Sequence, residues 1–326
     1  MILAGDIGGT HTRLALFENG SEQKIGAHET FSSKEFSQLL PIVRKFLQMH
    51  PSSAIDRACF GIAGPIKNGK CKATNLPWIV DGSELARELK LESVHLLNDL
   101  EANAWGLRVL KPDDFHLLQP GDPKQTGNAA LISAGTGLGE AGLYWDGKAY
   151  HPFACEGGHT DFGPRNAMEI ELLVYLQKIY DSHVSYERVV SGPGLRHIYE
   201  FLIETRRETQ SSELREEMKR RDPSFVISEW GCQNRDRGCT HAVEWFVSLY
   251  GAEAGNLALK MLSRGGLDIG GGIAPYMLEK FKQGGFIKAF KAKGRFDVLL
   301  DTIPVRIVLN DQTALLGAAE YAHYKK

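Results

Sequence analysis

Met1-Ile2-Leu3-Ala4-Gly5-Asp6-Ile7-Gly8-Gly9-Thr10-His11-Thr12-Arg13-Leu14-Ala15-Leu16-Phe17 is the stretch whose reading decides the fold. Two apolar runs, 1–8 and 12–17, flank Gly8-Gly9, which predicts a β-hairpin with a glycine-rich tip. Backbone N–H groups crowd around a phosphate only where side chains are absent, and glycine turns give that access. Asp6 precedes the glycines by two residues, placed to face a magnesium ion through water while Gly8, Gly9 and Thr10 receive phosphate. A Gly-Gly hairpin also occurs in many β-rich proteins, so this loop alone decides nothing.

Working outward, strands and helices alternate. Phe36, Leu39, Leu40, Val43, Phe46 and Leu47 fall at helical spacing within 34–49, and 57–62 reads as a buried strand. Asp81 and Ser83 offer capping oxygens for a helix over 83–89, and the strand 94–97 delivers Asn98-Asp99 to a further helix at 100–107. Lys111-Pro112-Asp113-Asp114 breaks the pattern, so a first domain boundary is expected near residue 110. Beyond it come a second glycine hairpin, long helical stretches at 166–180, 194–221 and 241–263, a strand at 305–309, and a final helix 312–322 with Asp311 as its expected cap. The fold class is α/β with two domains.

The second glycine loop, Gly135-Thr136-Gly137-Leu138-Gly139, lacks the Gly-Lys-Ser/Thr ending of a Walker loop. The third, Gly270-Gly271-Gly272, would let a flat purine lie against bare backbone. Neither identifies nucleotide alone. In order, Asp-Gly-Gly-Thr first, Gly-Thr-Gly in the middle and Gly-Gly-Gly two-thirds along, they resemble the actin, sugar kinase and heat-shock chaperone ATPase superfamily, an actin-like ribonuclease H-like fold.

A neutral polyol is recognised by carboxylates, amides and imidazoles that bond several hydroxyls at once. Asn98-Asp99 sits after a strand, where a parallel sheet hands ligands to the next loop. Asp99 is placed to take a proton from an attacking hydroxyl; the plainer alternative is that it caps the following helix. Glu156-Gly157-Gly158-His159 brackets two glycines with a carboxylate and an imidazole that converge on one ligand. A metal there would need a third ligand from elsewhere. Glu187, between Val184 and Val189-Val190, reads by itself as a solvated charge.

Composition narrows the classes. With 326 residues, a net charge of −2, 43% hydrophobic and 24% charged residues, the chain is an ordinary globular sequence with no basic field for nucleic acid. No apolar run reaches 18 residues, so no membrane span is expected. The five scattered cysteines fit reduced thiols, and the beginning of the sequence has no secretory pattern, which points to the cytoplasm.

The whole chain resembles the bacterial glucokinases of proteobacterial and cyanobacterial type. The matching segments, in order, are 6–16, Asn98-Asp99, 134–139, 156–162, Glu187-Arg188-Val189-Val190-Ser191-Gly192-Pro193-Gly194-Leu195 and 270–273. The resemblance implies ATP-dependent phosphorylation of glucose at the 6-hydroxyl, with Asp99 as the catalytic base. Asn98, Asp99, Glu156, His159 and Glu187 would contact the sugar. It assigns ATP to Asp6, Gly8, Gly9, Thr10, Gly135, Thr136, Gly137, Gly270, Gly271 and Gly272, with magnesium near Asp6. It further implies an interdomain active-site cleft, a final helix that returns to the first domain (1–110 plus about 300–326, against 111–299), and a homodimer. Two departures stand out: His11 replaces the usual Asn after Gly-Gly-Thr, and the cysteine-rich zinc motif of the related ROK group is missing. The competing readings are a kinase for mannose or an N-acetylated amino sugar, a sugar-sensing regulator, which would need a DNA-reading motif, and a non-catalytic actin-like ATPase.

Overall fold

The computed structural model describes residues 1–18, 25–51, 54–181 and 183–325. The chain divides into two compact units, Met1–Asp114 with Tyr150–Ala154 and Asn310–Lys326, and Phe115–Ala149 with Cys155–Leu309.

In the first unit the strands β1 (Ile2–Ile7), β2 (His11–Phe17), β3 (Ile25–Ser32), β4 (Arg57–Ile62) and β5 (Val94–Asn98) lie in the order β3-β2-β1-β4-β5. β1 and β2 form the predicted antiparallel hairpin, while β1, β4 and β5 run parallel. Side chains alternate across a strand. Leu3, Ile7, Leu14 and Leu16 therefore pack with Ile42, Phe46 and Leu85 of the helices Leu39–Met49 and Gly82–Leu89. Ile2, Ala4, Ala15 and Phe17 pack on the other face with the helices Asp99–Gly106 and Thr313–Tyr324. Burial on both faces explains why β1 and β2 read as nearly continuous apolar runs.

Three local expectations change. The helix expected from residue 34 begins at Leu39, after a single turn Ser33–Glu35. Ser33 is held at the hairpin instead: its N–H donates to Thr10 O at 2.9 Å and its hydroxyl to Gly8 O at 2.8 Å. Asp311 does not cap the last helix, which starts at Thr313 without a side-chain cap. Arg13 engages Asp311 instead, with Nη1 donating to its carbonyl at 2.8 Å. The stretch 194–221 is two helices, Gly192–Glu204 and Ser212–Arg220, parted where Arg206 takes a φ of 58° and Ser211 caps the second.

The last helix crosses Asp99–Gly106 at glycines. A Cβ on Gly317 would stand 1.7 Å from Ala102 O, and one on Gly106 2.0 Å from Thr313 O. Gly317→Ala gains about 1 kcal/mol in helix propensity. Forcing two backbones apart costs about 1–3 kcal/mol, here at the upper end. A net fall in urea midpoint is expected, and an unchanged midpoint would contradict this packing.

In the second unit β6 (Phe115–Gln119), β7 (Ala129–Ala134), β8 (Leu138–Trp145), β9 (Gly266–Gly270) and β10 (Val305–Val308) lie in the order β8-β7-β9-β10-β6. β7 and β8 form the second glycine-tipped hairpin, and β9 runs parallel to both β7 and β10. The helices Gly192–Glu204, Pro223–Cys232 and Arg237–Met261 bury Ile198, Phe201, Val226, Trp230, Phe246 and Leu249 in one core. Among the described residues no helix is long and apolar enough to cross a membrane.

Candidate active site

In the first unit the carboxyl ends of the parallel strands β1 and β5, with β4 between them, carry the acidic groups. Asp6 pairs with Gly61 of β4, and Asn98 with Ile62. Asn98 Oδ1 accepts from Leu100 N at 2.9 Å, so Asn98 caps the helix and Asp99 occupies its first turn. The capping alternative for Asp99 is thereby removed. The Asn98 amide also donates to Gly64 O at 3.4 Å, which fixes the strand end.

The Gly8–Thr10 turn follows Asp6 directly, closed by Gly8 N donating to His11 O at 2.9 Å. His11 is exposed at the start of β2. Arg13 Nη1 lies 3.8 Å from Asp6 Oδ2. Burial pushes the Asp6 carboxyl up to about 6; Arg13 opposes the shift, and the charges of Asp99 and Asp311 add to it. Three carboxylates thus share one neighbourhood with one guanidinium.

In the second unit Ser133 of β7 pairs with Gly270 of β9, so the loops Gly135–Gly137 and 270–272 leave adjacent strand ends. Gly135 N donates to Gly137 O, and Gly192 N to Gly135 O, each at 2.8 Å. A side chain at Gly135 or Gly272 would meet no atom of the chain within 4 Å. Both border a cavity of about 440 Å3 with Thr136, Phe225 and Tyr276. The Phe225 and Tyr276 rings lie 5.8 Å apart, inclined at 42°. Bare backbone at Gly135 and Gly272 and the rings of Phe225 and Tyr276 line this cavity together, a lining that suits a flat ring.

Glu187 is not a solvated charge. Its Oε2 accepts from Leu138 N at 3.1 Å, and a Cβ on Gly137 would stand 2.5 Å from that oxygen. Glu156 precedes the turn Gly157–His159, and its Oε2 lies 4.0 Å from His159 Nε2, with both side chains more than half exposed. The two turns are tied together: Tyr186 N donates to Thr160 O at 3.0 Å. Gly158 packs its α-carbon on Leu138, where a Cβ would stand 2.0 Å from the carbonyl oxygen.

Sequence reading passed over Gly192, Phe225 and Tyr276. Gly192 was legible within Ser191-Gly192-Pro193-Gly194, the only signal among them. It also passed over Glu140, whose carboxylate presses on Gly157. Among the described residues no group of three or more His, Cys, Asp or Glu forms a metal cage. A magnesium ion near Asp6 would draw most of its ligands from phosphate and water, which fits one half-buried carboxylate with the charges of Asp99 and Asp311 nearby.

Comparison with known proteins identifies the family and the fold. The sequence model of the Glucokinase family matches residues 3–325. The glucokinase of Nostoc punctiforme is 42% identical over 98% of both chains. A glucokinase crystal structure from an Antarctic psychrotroph superposes with a TM-score of 0.87 at 31% identity, covering 99% of both chains. A ROK family glucokinase from Streptomyces griseus, solved with glucose and AMPPNP, has a TM-score of 0.67 at 18% identity, again over 99% of both chains, a likeness of fold alone. The paired glycine hairpins, the Asn98-Asp99 strand end and the nearly full-length match leave one conclusion: the chain belongs to the glucokinase family, hexose kinases with a two-domain α/β ATPase fold.

Proposed function

We propose that this hexose kinase transfers the γ-phosphoryl group of ATP to the 6-hydroxyl of D-glucose, with Asp99 as general base. The observation that carries the reading is the placement of Asp6 and Asp99 at the carboxyl ends of the two strands that flank β4, beside the Gly8–Gly9 turn, with the charge of Asp99 disfavouring ionisation of Asp6. The loose transition state of phosphoryl transfer asks the base to orient the hydroxyl and finally accept its proton, which an ordinary carboxylate does. The sugar oxygen then bonds to phosphorus as the bond to the ADP oxygen breaks. Asn98, Glu156, His159 and Glu187 hold the remaining hydroxyls. Gly8, Gly9, Thr10, Gly135, Thr136 and Gly137 receive phosphate, and 270–272 the nucleoside, beside the aromatic slot. Magnesium near Asp6 supplies charge neutralisation at the phosphates. The ATP analogue and glucose in the Streptomyces griseus relative support the choice of substrates. A homodimer and a cytoplasmic location belong to the same proposal and rest on the family resemblance.

A panel of sugars in an ATP-consumption assay tests the reading. Glucose is expected to give the highest kcat/KM, and mannose or an N-acetylated amino sugar outranking it would overturn the substrate assignment. The Asp6 shift adds a pH signature. With its carboxyl pushed up to about 6, the ionised form needed near magnesium is lost as pH falls through that value. KM for ATP is expected to rise below about pH 6, and higher magnesium should move that limb to lower pH because proton and cation compete. A limb unmoved by magnesium would take Asp6 out of this role.

A further inference from the structure

Beneath the Glu156–His159 turn lies a buried polar cluster that the proposed chemistry does not use. Glu140 of β8 and Glu253 of the helix Arg237–Met261 are each at most 1% exposed. Both Glu140 oxygens and Glu253 Oε1 lack a hydrogen-bond donor. Two facing carboxylates cannot satisfy one another, since neither has a proton to give. One proton resolves this, turning Glu140 into a donor to Glu253. Glu253 has other support, accepting from Asn256 Nδ2 at 2.7 Å with Lys260 Nζ 3.5 Å from its other oxygen, so Glu140 is the member that keeps the proton.

The cluster touches both sugar turns. A Cβ on Gly157 would stand 1.8 Å from Glu140 Oε2, so that carboxyl seats the Glu156–His159 turn from below. On the other side Asn256 Nδ2 donates to the Tyr186 hydroxyl at 3.0 Å, next to Glu187. Lys293 Nζ closes the network on Asn256 Oδ1 at 2.5 Å and Ala252 O at 2.8 Å.

We propose that Glu140, protonated and hydrogen-bonded to Glu253, is a positioning residue for sugar binding, holding Glu156, His159 and Glu187 in register, and that its ionisation unseats them. This rests on the reading that those three residues hold the sugar. Burial, then the neighbouring charge of Glu253, push the Glu140 carboxyl up to about 8, so the seated form prevails below that pH and is lost above it. The other ionisable groups around the pair are Lys260 and Tyr250 on the same helix, Lys293, Tyr186, Arg165 and Cys155. Burial raises Glu253, Tyr186, Tyr250 and Cys155 and lowers Lys293 to about 8, so Lys293 is the cation whose titration the test must separate from that of the carboxyl pair.

The test compares wild type, Glu140→Gln, Glu140→Ala and Lys293→Met by KM for glucose and for ATP between pH 6.5 and 9, with infrared spectra of each protein. In wild type, KM for glucose should rise about tenfold from pH 7 to 9 while KM for ATP stays flat, as a single ionisation near 8 requires. Glu140→Gln, a neutral isostere that still donates to Glu253, should keep KM within about threefold at pH 7 and lose the alkaline rise. Glu140→Ala should raise KM for glucose about tenfold at every pH with kcat little changed. The carboxylic-acid C=O stretch of wild type at pH 7 should vanish in Glu140→Gln. An alkaline rise that persists in Glu140→Gln and disappears in Lys293→Met would overturn the proposal, as would an infrared spectrum unaltered by Glu140→Gln. The infrared result needs no substrate, and should the variants not fold, the pH dependence of that band in wild type decides alone. Wild type without glucose turnover would instead defeat the substrate assignment.

Discussion

Asp99→Asn is expected to lower kcat by roughly two to four orders of magnitude while leaving KM for glucose within about threefold. The asymmetry follows from the geometry. Asn98, not Asp99, supplies the helix cap through its bond to Leu100 N, so the isosteric change at 99 leaves the strand end and helix start intact. Asp99 O still accepts from Asn103 Nδ2 at 3.0 Å, a backbone contact the substitution preserves. What is removed is the ability to take a proton. Steady-state kinetics with glucose and ATP measure it, with circular dichroism to verify folding. Near-normal turnover would remove Asp99 from catalysis; a large rise in KM with normal kcat would reassign it to sugar binding alone.

Gly137→Ala is expected to raise KM for glucose by roughly 10- to 100-fold without unfolding the protein. The new methyl would stand 2.5 Å from Glu187 Oε2, and a carboxylate at the end of a flexible side chain gives way more easily than backbone does. Displacing it breaks the bond from Leu138 N and moves a proposed sugar ligand. Losing a hydrogen bond to a charged group costs about 1.5–3 kcal/mol, which converts to about that range in affinity. Thermal denaturation should show a shift of only a few degrees. If KM for ATP rose and KM for glucose did not, the loop would serve phosphate alone and Glu187 would not belong to the sugar site.

Much of the frame could be read from the chain because its signals are local. The two glycine hairpins, the apolar runs of β1 and β2 and the Asp81 cap each declare themselves within a few residues. What escaped depends on partners distant in sequence. Glu140 looks like an ordinary charge three residues after a turn; only the packing of the helix Arg237–Met261 and the Gly157 turn over it makes it a buried acid. Asp311 has the composition of a helix cap, but the Arg13 side chain, 298 positions earlier, takes its carbonyl. Glu187 reads as a solvated residue until the hairpin brings Leu138 N to it. The glycines of Glu156-Gly157-Gly158-His159 read as a tight turn that lets a carboxylate and an imidazole converge on one ligand. They are bare because Glu140 and Leu138 lie against them. The Phe225–Tyr276 slot joins two helical segments some fifty residues apart, and nothing in either segment marks a ligand.

The most direct measurement is a crystal structure of the protein with glucose and a non-hydrolysable ATP analogue. The account predicts the Asp99 carboxylate within about 3 Å of the sugar 6-hydroxyl, with that oxygen in line with the terminal phosphorus. An Asp99 side chain turned away from the 6-hydroxyl, with another group holding that oxygen, would contradict it.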